Sequence, residues 1–206
     1  RPSRDHRTRA VPGIPLGSPA PHAALYDLDV SGTRGGGNRG SVRPIRYLGD
    51  PVLRTECDPV RTFDASLERL IDDMFVSMYE ADGAGLAANQ IGVSLQVFVY
   101  DCNDDKGRRH VGHVVNPTLV AADGETLEEQ EGCLSVPGLR FATPRYAHAV
   151  VEGVDMKGKP LRVEGTGYFA RCLQHETGHL RGQVYIDVLS GEARREAMRA
   201  IRAQRS

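Results

Sequence analysis

The sequence predicts an α+β fold, in which antiparallel β-sheets pack around a central helix and a flexible extension precedes them. Three observations lead to this prediction. Apolar residues recur every three or four positions over 64–82, alternate with polar residues in short stretches between 96 and 164, and return to helical spacing over 167–180. Successive strands with helices before and after them are typical of α+β domains.

The composition is that of a globular chain with one domain and an appendage. Of the 206 residues, 40% are hydrophobic and 26% are charged, and the formal net charge is −1. These values exclude collagen, a coiled coil and a wholly disordered chain, and they argue against a polyelectrolyte binder of nucleic acid. No run of 18 apolar residues is present, so no membrane span is encoded. Four cysteines are too few for a disulfide scaffold, which favours a reducing compartment.

The first 40 residues differ from the rest of the chain. They are rich in Gly, Pro and Arg and contain no apolar stretch of signal-peptide type. We therefore expect residues 1–40 to form a disordered extension, with a transit peptide as the less favoured alternative. Ordered structure is expected over 41–206. It begins with an extended stretch over 42–53 that turns at Gly49-Asp50-Pro51.

A first helix is expected after this stretch. Asp64 can cap its N-terminus, and the helix should end at Asp82-Gly83, where glycine tolerates a left-handed conformation. Its apolar stripe consists of Leu67, Leu70, Ile71, Met74 and Met78. We interpret the two methionines as core residues rather than as a functional patch.

Strands and two further helices are expected in the rest of the chain. The predicted strands are 96–100, 113–116, 147–154 and 161–164. A hairpin tip is expected at Lys157-Gly158-Lys159. A second helix is expected over 167–180, ending at Gly182, and a charged third helix over 192–204.

The segment His175-Glu176-Thr177-Gly178-His179 carries the sharpest chemical signal. Residues four apart lie on one helix face, so two imidazoles spaced in this way can bind one divalent metal ion. The glutamate between them can act as a general base. A catalytic site of this type needs a third protein ligand, which could be a histidine, an acidic residue or a cysteine; no histidine follows His179. Two histidines with ordinary hydrogen bonds are the alternative.

Two other short segments stand out. The stretch Glu131-Gly132-Cys133-Leu134-Ser135-Val136-Pro137 places a cysteine beside a glycine near the end of a strand or in a turn. The stretch 83–90, Gly-Ala-Gly-Leu-Ala-Ala-Asn-Gln, is expected to be a flexible glycine loop. It lacks the spacing of a dinucleotide site and the lysine of a phosphate loop.

Together, the three segments resemble the peptide deformylase family. Its signatures GxGLAAxQ, EGCLS and QHExxHLxG match residues 83–90, 131–135 and 174–182 in the same order, and the resemblance covers about residues 43–190. Many members have Asp where this chain has Gly178. That departure affects the surroundings of the site but removes no metal ligand.

The resemblance implies a metal-dependent hydrolase acting on a linear amide, with residues 41–206 as its catalytic domain. Cys133, His175 and His179 would bind the metal, and a metal-bound water would attack the formyl group of N-formylmethionyl nascent peptides, releasing formate. Glu176 would serve as general base and acid. The metal would be Fe²⁺, with Zn²⁺ or Ni²⁺ possible, one per chain.

The resemblance also implies substrate contacts. The Gln90 side chain and the Leu134 N–H would donate hydrogen bonds to the developing oxyanion. Residues at positions that match the family's binding groove and methionine pocket are Gly83, Ala84, Gly85, Arg140, Tyr168, Arg171 and Cys172. For Arg140, an ordinary surface arginine is an equal alternative.

Partners and location follow from the same resemblance. We expect a cytoplasmic monomer that has no membrane attachment. The third helix carries Arg194, Arg195, Arg199 and Arg202, and Arg205 follows it; this basic face would suit ribosomal RNA, with a merely solvated helix as the alternative. Two other functions compete with the deformylase hypothesis: a metallopeptidase that cleaves internal amides, and an inactive homologue that binds formylated termini or the ribosome.

Overall fold

The computed structural model describes residues 40–204, so the prediction of a disordered extension concerns residues that lie, except for Gly40, outside the described ones. The helices are α1 (Ala65–Glu80), α2 (Gly167–Leu180) and α3 (Gly191–Gln204). The strands are β1 (Gly85–Ala87), β2 (Val97–Asn103), β3 (Arg109–Cys133), β4 (Val136–Val154) and β5 (Pro160–Thr166). They form one antiparallel sheet in the order β1-β2-β3-β4-β5, which confirms the α+β prediction. Among the described residues, no helix has the length and apolar character needed to cross a membrane.

Helix α1 begins where the sequence predicts. The Asp64 carboxylate accepts hydrogen bonds from the N–H groups of Ser66, at 2.9 Å, and Leu67, at 3.3 Å. These bonds satisfy two of the N–H groups that a helix leaves unpaired at its first turn. Before α1, the predicted turn leads into a short 3-10 helix, Pro51–Arg54, which Asp50 caps in a similar way.

Strand β2 lies between two helices. Phe98, Tyr100 and Cys102 pack in one cluster with residues of α2, whereas Val97 and Val99 pack in another with residues of α1. This division follows from the alternation of side chains along a strand. The two helices thus cover opposite faces of the sheet at this point, and β2 is buried on both.

Helix α2 is the central element of the fold. It contacts all five strands, and ten of its residues are buried. Phe169 and Leu173 supply apolar packing, yet several of the buried residues are polar or charged: Arg171, Gln174, Glu176, Thr177 and His179. Burial of so many polar groups on one helix indicates a functional site, because each of them needs a compensating partner.

The predicted strands are shorter than the observed ones. The stretches 113–116 and 147–154 are parts of β3 and β4, which form a long pair that ends in a turn after Cys133. Register shifts interrupt the pair at four places, including one between Asp123 and Thr126. Such bulges break the alternation of apolar and polar residues on which the prediction relied, while backbone pairing resumes beyond each of them.

The glycine-rich stretch 83–90 is not the flexible loop that the sequence suggests. It contains β1 and the start of a 3-10 helix, Ala88–Ile91, whose four residues are all buried. β1 pairs with β2 through Gly85–Tyr100, Leu86–Val99 and Ala87–Phe98. Small side chains allow this segment to pack closely against its neighbours. A high glycine content therefore does not mean that the segment is flexible.

Helix α3 begins one residue earlier than predicted and covers a separate apolar cluster. Its buried residues Ala197 and Ile201 pack with Tyr185, Ile186 and Leu189 from the segment that follows α2. The arginines of α3 are therefore presented on the outer side of a helix that is anchored by its opposite face.

Replacing the helix cap tests the first of these features. We expect Asp64→Ala to lower the free energy of unfolding by about 1 kcal/mol, because two N–H groups of α1 lose their acceptor. Urea unfolding measures the change. Asp58→Ala, which removes an exposed aspartate outside any helix, is the matched control. Equal stability of the two variants would contradict a capping role.

Candidate active site

Two elements bring together three side chains that can ligate a metal ion. His175 and His179 lie one turn apart on α2, with their Nε2 atoms 3.1 Å from each other. Cys133, the last residue of β3, places its Sγ 3.2 Å from Nε2 of His179. The three ligand atoms all lie within 4.8 Å of one another. The structure therefore brings together the three residues that the sequence assigns to metal binding.

This donor set fits a divalent cation. One cysteine sulfur and two imidazole nitrogens lie close together, and a set of three such ligands leaves a fourth tetrahedral position open. His179 is fully buried, and burial together with the neighbouring His175 lowers the pKa of its imidazole, which favours the neutral form that binds metals. Cys133 is half-buried and carries no disulfide.

Glu131 is a site residue that the sequence analysis did not assign. It is buried, and its Oε1 lies 2.6 Å from Nδ1 of His175. Although burial opposes it, hydrogen bonds from His175 and Arg145 hold the pKa of the Glu131 carboxyl well below its ordinary value. A carboxylate on the second nitrogen of a ligand histidine fixes the orientation of the ring. A signal was present, since Glu131 opens the segment Glu131-Gly132-Cys133 that the sequence analysis singled out. Arg145 had no such signal.

Glu176 has the environment of a general base. It is buried, and its Oε2 has no hydrogen-bond partner among the described residues. Burial raises the pKa of its carboxyl to about 7, close to the value at which proton transfer is efficient near neutral pH. Because an unpaired buried carboxyl is costly, its retention here indicates a functional role.

Gly85 makes room for this glutamate. A Cβ on Gly85 would lie 2.5 Å from Oε1 of Glu176 and 3.0 Å from Sγ of Cys172. Both distances are shorter than ordinary contacts, so a side chain here would displace the carboxyl or the strand. Glycine at this position therefore serves close packing.

The Gln90 amide is held in one orientation. Its Oε1 accepts the N–H of Ala87 at 2.9 Å, and its Nε2 lies 3.1 Å from Oγ of Ser135 and 3.6 Å from Sγ of Cys133. The amide NH₂ thus points toward the cluster of ligands. Leu134, the other predicted oxyanion donor, lies in the turn directly after Cys133.

A cavity of about 560 Å³ opens beside these groups. The predicted substrate-binding residues Gly83, Ala84, Gly85, Arg140, Tyr168, Arg171 and Cys172 all line it, as do Gln90, Leu134 and Glu176. Arg140 and Tyr168 are exposed, whereas Cys172 is buried. The Arg171 guanidinium differs from the others, because its hydrogen bonds go to Glu131 and to two backbone carbonyls.

A Cys-His-His cluster next to a buried, unpartnered glutamate and an open cavity defines a metal-dependent hydrolase. The comparisons with known proteins agree with this class and narrow it. A family model described as polypeptide deformylase matches residues 42–195. The chain therefore belongs to the polypeptide deformylase family, and it is a peptide deformylase by activity, an enzyme that removes the N-formyl group from newly made peptides.

Individual relatives support the assignment. The chain is 60% identical over 163 residues to "Peptide deformylase 2" of Streptomyces avermitilis, covering 79% of this chain and 88% of the relative. It is 53% identical over 165 residues to "Peptide deformylase 2" of Streptomyces coelicolor, covering 80% and 92%. A crystal structure of a peptide deformylase from Legionella pneumophila superposes with a TM-score of 0.71 at 45% identity, covering 80% and 96%. These matches confirm the resemblance to the peptide deformylase family and favour the deformylase hypothesis over the two alternatives.

The close approach at Gly85 yields a prediction. We expect Gly85→Ala to lower kcat by about 10²-fold, because the new Cβ displaces the Glu176 carboxyl by a distance that matters for proton transfer. Formate release measures the rate, and the metal content should equal that of the wild type. A variant that retained wild-type kcat would show that Glu176 is not confined by Gly85.

A contrasting glycine substitution lies on α2, the helix that carries Glu176. At Gly178, a Cβ would meet its nearest neighbour, Oε1 of Gln183, at 3.9 Å. We expect Gly178→Ala to keep its activity and to raise the free energy of unfolding by up to about 1 kcal/mol, because alanine is a better helix former. Urea unfolding and the same formate assay test both statements.

Proposed function

We propose that this peptide deformylase hydrolyses the formyl amide through Glu176, with Cys133, His175 and His179 holding the metal ion. The observation that carries this proposal is that Glu176, whose buried Oε2 has no hydrogen-bond partner among the described residues, lines the same cavity as Cys133 and His175. When bound, the divalent cation supplies Lewis acidity, which makes water nucleophilic near neutral pH. Glu176 accepts the proton from the attacking water and donates it to the departing amine of methionine.

The oxyanion is stabilised by two hydrogen-bond donors. The first is the Gln90 amide, which Ala87 and Ser135 orient so that its NH₂ points toward the ligand cluster, where negative charge would develop. The second donor is the N–H of Leu134. Loss of one such donor typically costs about 10²–10³-fold in rate.

The substrate backbone binds along β1. This strand lies at the edge of the sheet, with β2 on one side, so its other side can pair with an extended peptide. Gly83, Ala84 and Gly85 supply backbone groups there, while Tyr168 and Cys172 line the pocket for the methionine side chain. Arg140, at the exposed rim of the cavity, contacts the peptide beyond methionine.

We propose Fe²⁺ as the metal in the cell, with Zn²⁺ or Ni²⁺ in some preparations. One thiolate and two imidazoles suit all three ions, and availability rather than affinity decides between them. Anaerobic purification followed by elemental analysis tests this choice. Absence of iron, with no activity gained on its addition, would contradict it. The enzyme is proposed to act as a monomer in the cytoplasm, where formylated chains are made.

Two substitutions separate the roles of base and ligand. We expect Glu176→Gln to retain the metal while losing about 10²–10⁴-fold in formate release from formyl-Met-Ala-Ser. Cys133→Ser should lose the metal as well as the activity. Glu152→Gln, at an exposed glutamate of β4, is the control. Substantial formate release by Glu176→Gln would rule out its role as base. Cleavage of internal amides by the wild type would instead favour a metallopeptidase.

The basic face of α3 is proposed to bind ribosomal RNA. Arg194, Arg195, Arg199 and Arg202 lie along this helix, which is anchored by Ala197 and Ile201. Contacts between arginine and phosphate weaken as the salt concentration rises.

Neutralising these arginines tests the RNA proposal. We expect Arg194→Gln combined with Arg202→Gln to reduce co-sedimentation with ribosomes at low salt by about 10-fold or more, without changing formate release from a tripeptide. Arg162→Gln combined with Arg108→Gln removes the same charge elsewhere as a control. Unchanged co-sedimentation of the α3 variant would refute the proposal.

A further inference from the structure

Arg171 joins helix α2 to both long strands. It lies four residues before His175 on α2, and its side chain is only 4% exposed. Its Nη1 donates to Oε2 of Glu131 at 2.8 Å and to the carbonyl of Thr143 on β4, also at 2.8 Å. Its Nη2 donates to the carbonyl of Leu127 on β3 at 3.0 Å. The two carbonyls, which belong to the sheet backbone, fix the guanidinium in place.

Four hydrogen bonds converge on the Glu131 carboxylate, two on each oxygen. Oε1 receives Nη2 of Arg145 at 2.7 Å and Nδ1 of His175 at 2.6 Å. Oε2 receives Nε of Arg145 at 3.0 Å and Nη1 of Arg171. A carboxylate bonded in this way can only accept, so Nδ1 of His175 must donate. In the neutral form that binds a metal ion, His175 consequently carries its lone pair on Nε2, the atom that faces His179.

We propose that Arg171 is a positioning residue for the metal ligand His175, acting through Glu131. Arg145 donates hydrogen bonds to both oxygens of the Glu131 carboxylate, whereas Arg171, which lies on α2, donates to Oε2. With both arginines present, neither rotation nor tilt of the carboxylate is free, so the imidazole that donates to it keeps one orientation. This inference rests on the metal centre of the proposed function, and it replaces the substrate contact that the sequence suggests for Arg171.

The contacts of Arg171 favour a positioning role over a contact with the substrate. The guanidinium is buried, and its Nε lies 3.5 Å from the carboxylate of Glu129, an exposed residue of β3 that does not line the cavity. Arginine is suited to such a place, because its planar fork can serve a carboxylate and backbone carbonyls at once. Lysine could replace the charge but could not reach all three acceptors.

Cobalt binding tests the proposal without reference to activity. Metal-free full-length protein is titrated with Co²⁺, and the visible absorption bands report both affinity and ligand geometry. We expect Arg171→Met to weaken cobalt binding by about 10–100-fold, the range found when partners of metal ligands are removed, and to change the band positions. Arg171→Lys should recover part of the affinity. Arg162→Met, at an exposed arginine of β5, is the matched control and should behave as wild type.

The outcomes separate this proposal from the proposed function. A folded Arg171→Met protein with wild-type affinity and spectrum would overturn the positioning role. If both Arg171 variants failed to fold, as judged by circular dichroism, Arg171 would serve to stabilise the contact between α2 and the two long strands. This result would also overturn the positioning role. If wild type binds cobalt but releases no formate with iron, the proposed function fails while the Arg171 comparison stands. If wild type binds no cobalt, both proposals fall.

Discussion

The buried carboxylate of Glu131 is the constraint on which the geometry of the site depends. An ionised group in the protein interior is costly unless it is paired and fully hydrogen-bonded. Its donors come from β4 and α2, while Glu131 itself lies on β3. Satisfying all of them at once holds the two strands and the helix in one relative arrangement. Cys133, two residues further along β3, is thereby held against the histidines of α2.

Helix α2 can keep these polar groups buried because apolar residues of the sheet pack against it. Phe98 and Tyr100 of β2 pack with Phe169 and Leu173 on the same side of the sheet as the site. Full burial of an apolar side chain of this size contributes about 1.5–3 kcal/mol, which offsets the cost of burying charged and amide groups nearby. Helix α1 covers the other face of β2, so this strand is buried on both faces.

The cavity is shaped by small residues at the edge of the sheet. β1 has a partner on one side, and its glycine at position 85 lets the strand approach the Glu176 carboxyl more closely than any side chain would permit. The same closeness explains why burial raises the pKa of Glu176 to about 7. The open edge of β1, the Glu176 carboxyl and the cluster of metal ligands thus lie next to one another.

The sequence by itself determined the helices, the class of fold and the residues that can ligate a metal ion. Helical spacing and capping residues are local signals, and they placed α1 and α2 within about a turn of their observed ends. The pairs His175–His179 and Gly132–Cys133 are also local. Tertiary structure alone decided the length of β3 and β4, the burial of the glycine-rich segment and the role of Arg171. These depend on pairing between residues far apart in the chain, across bulges that erase the alternation pattern, and no local period encodes such contacts.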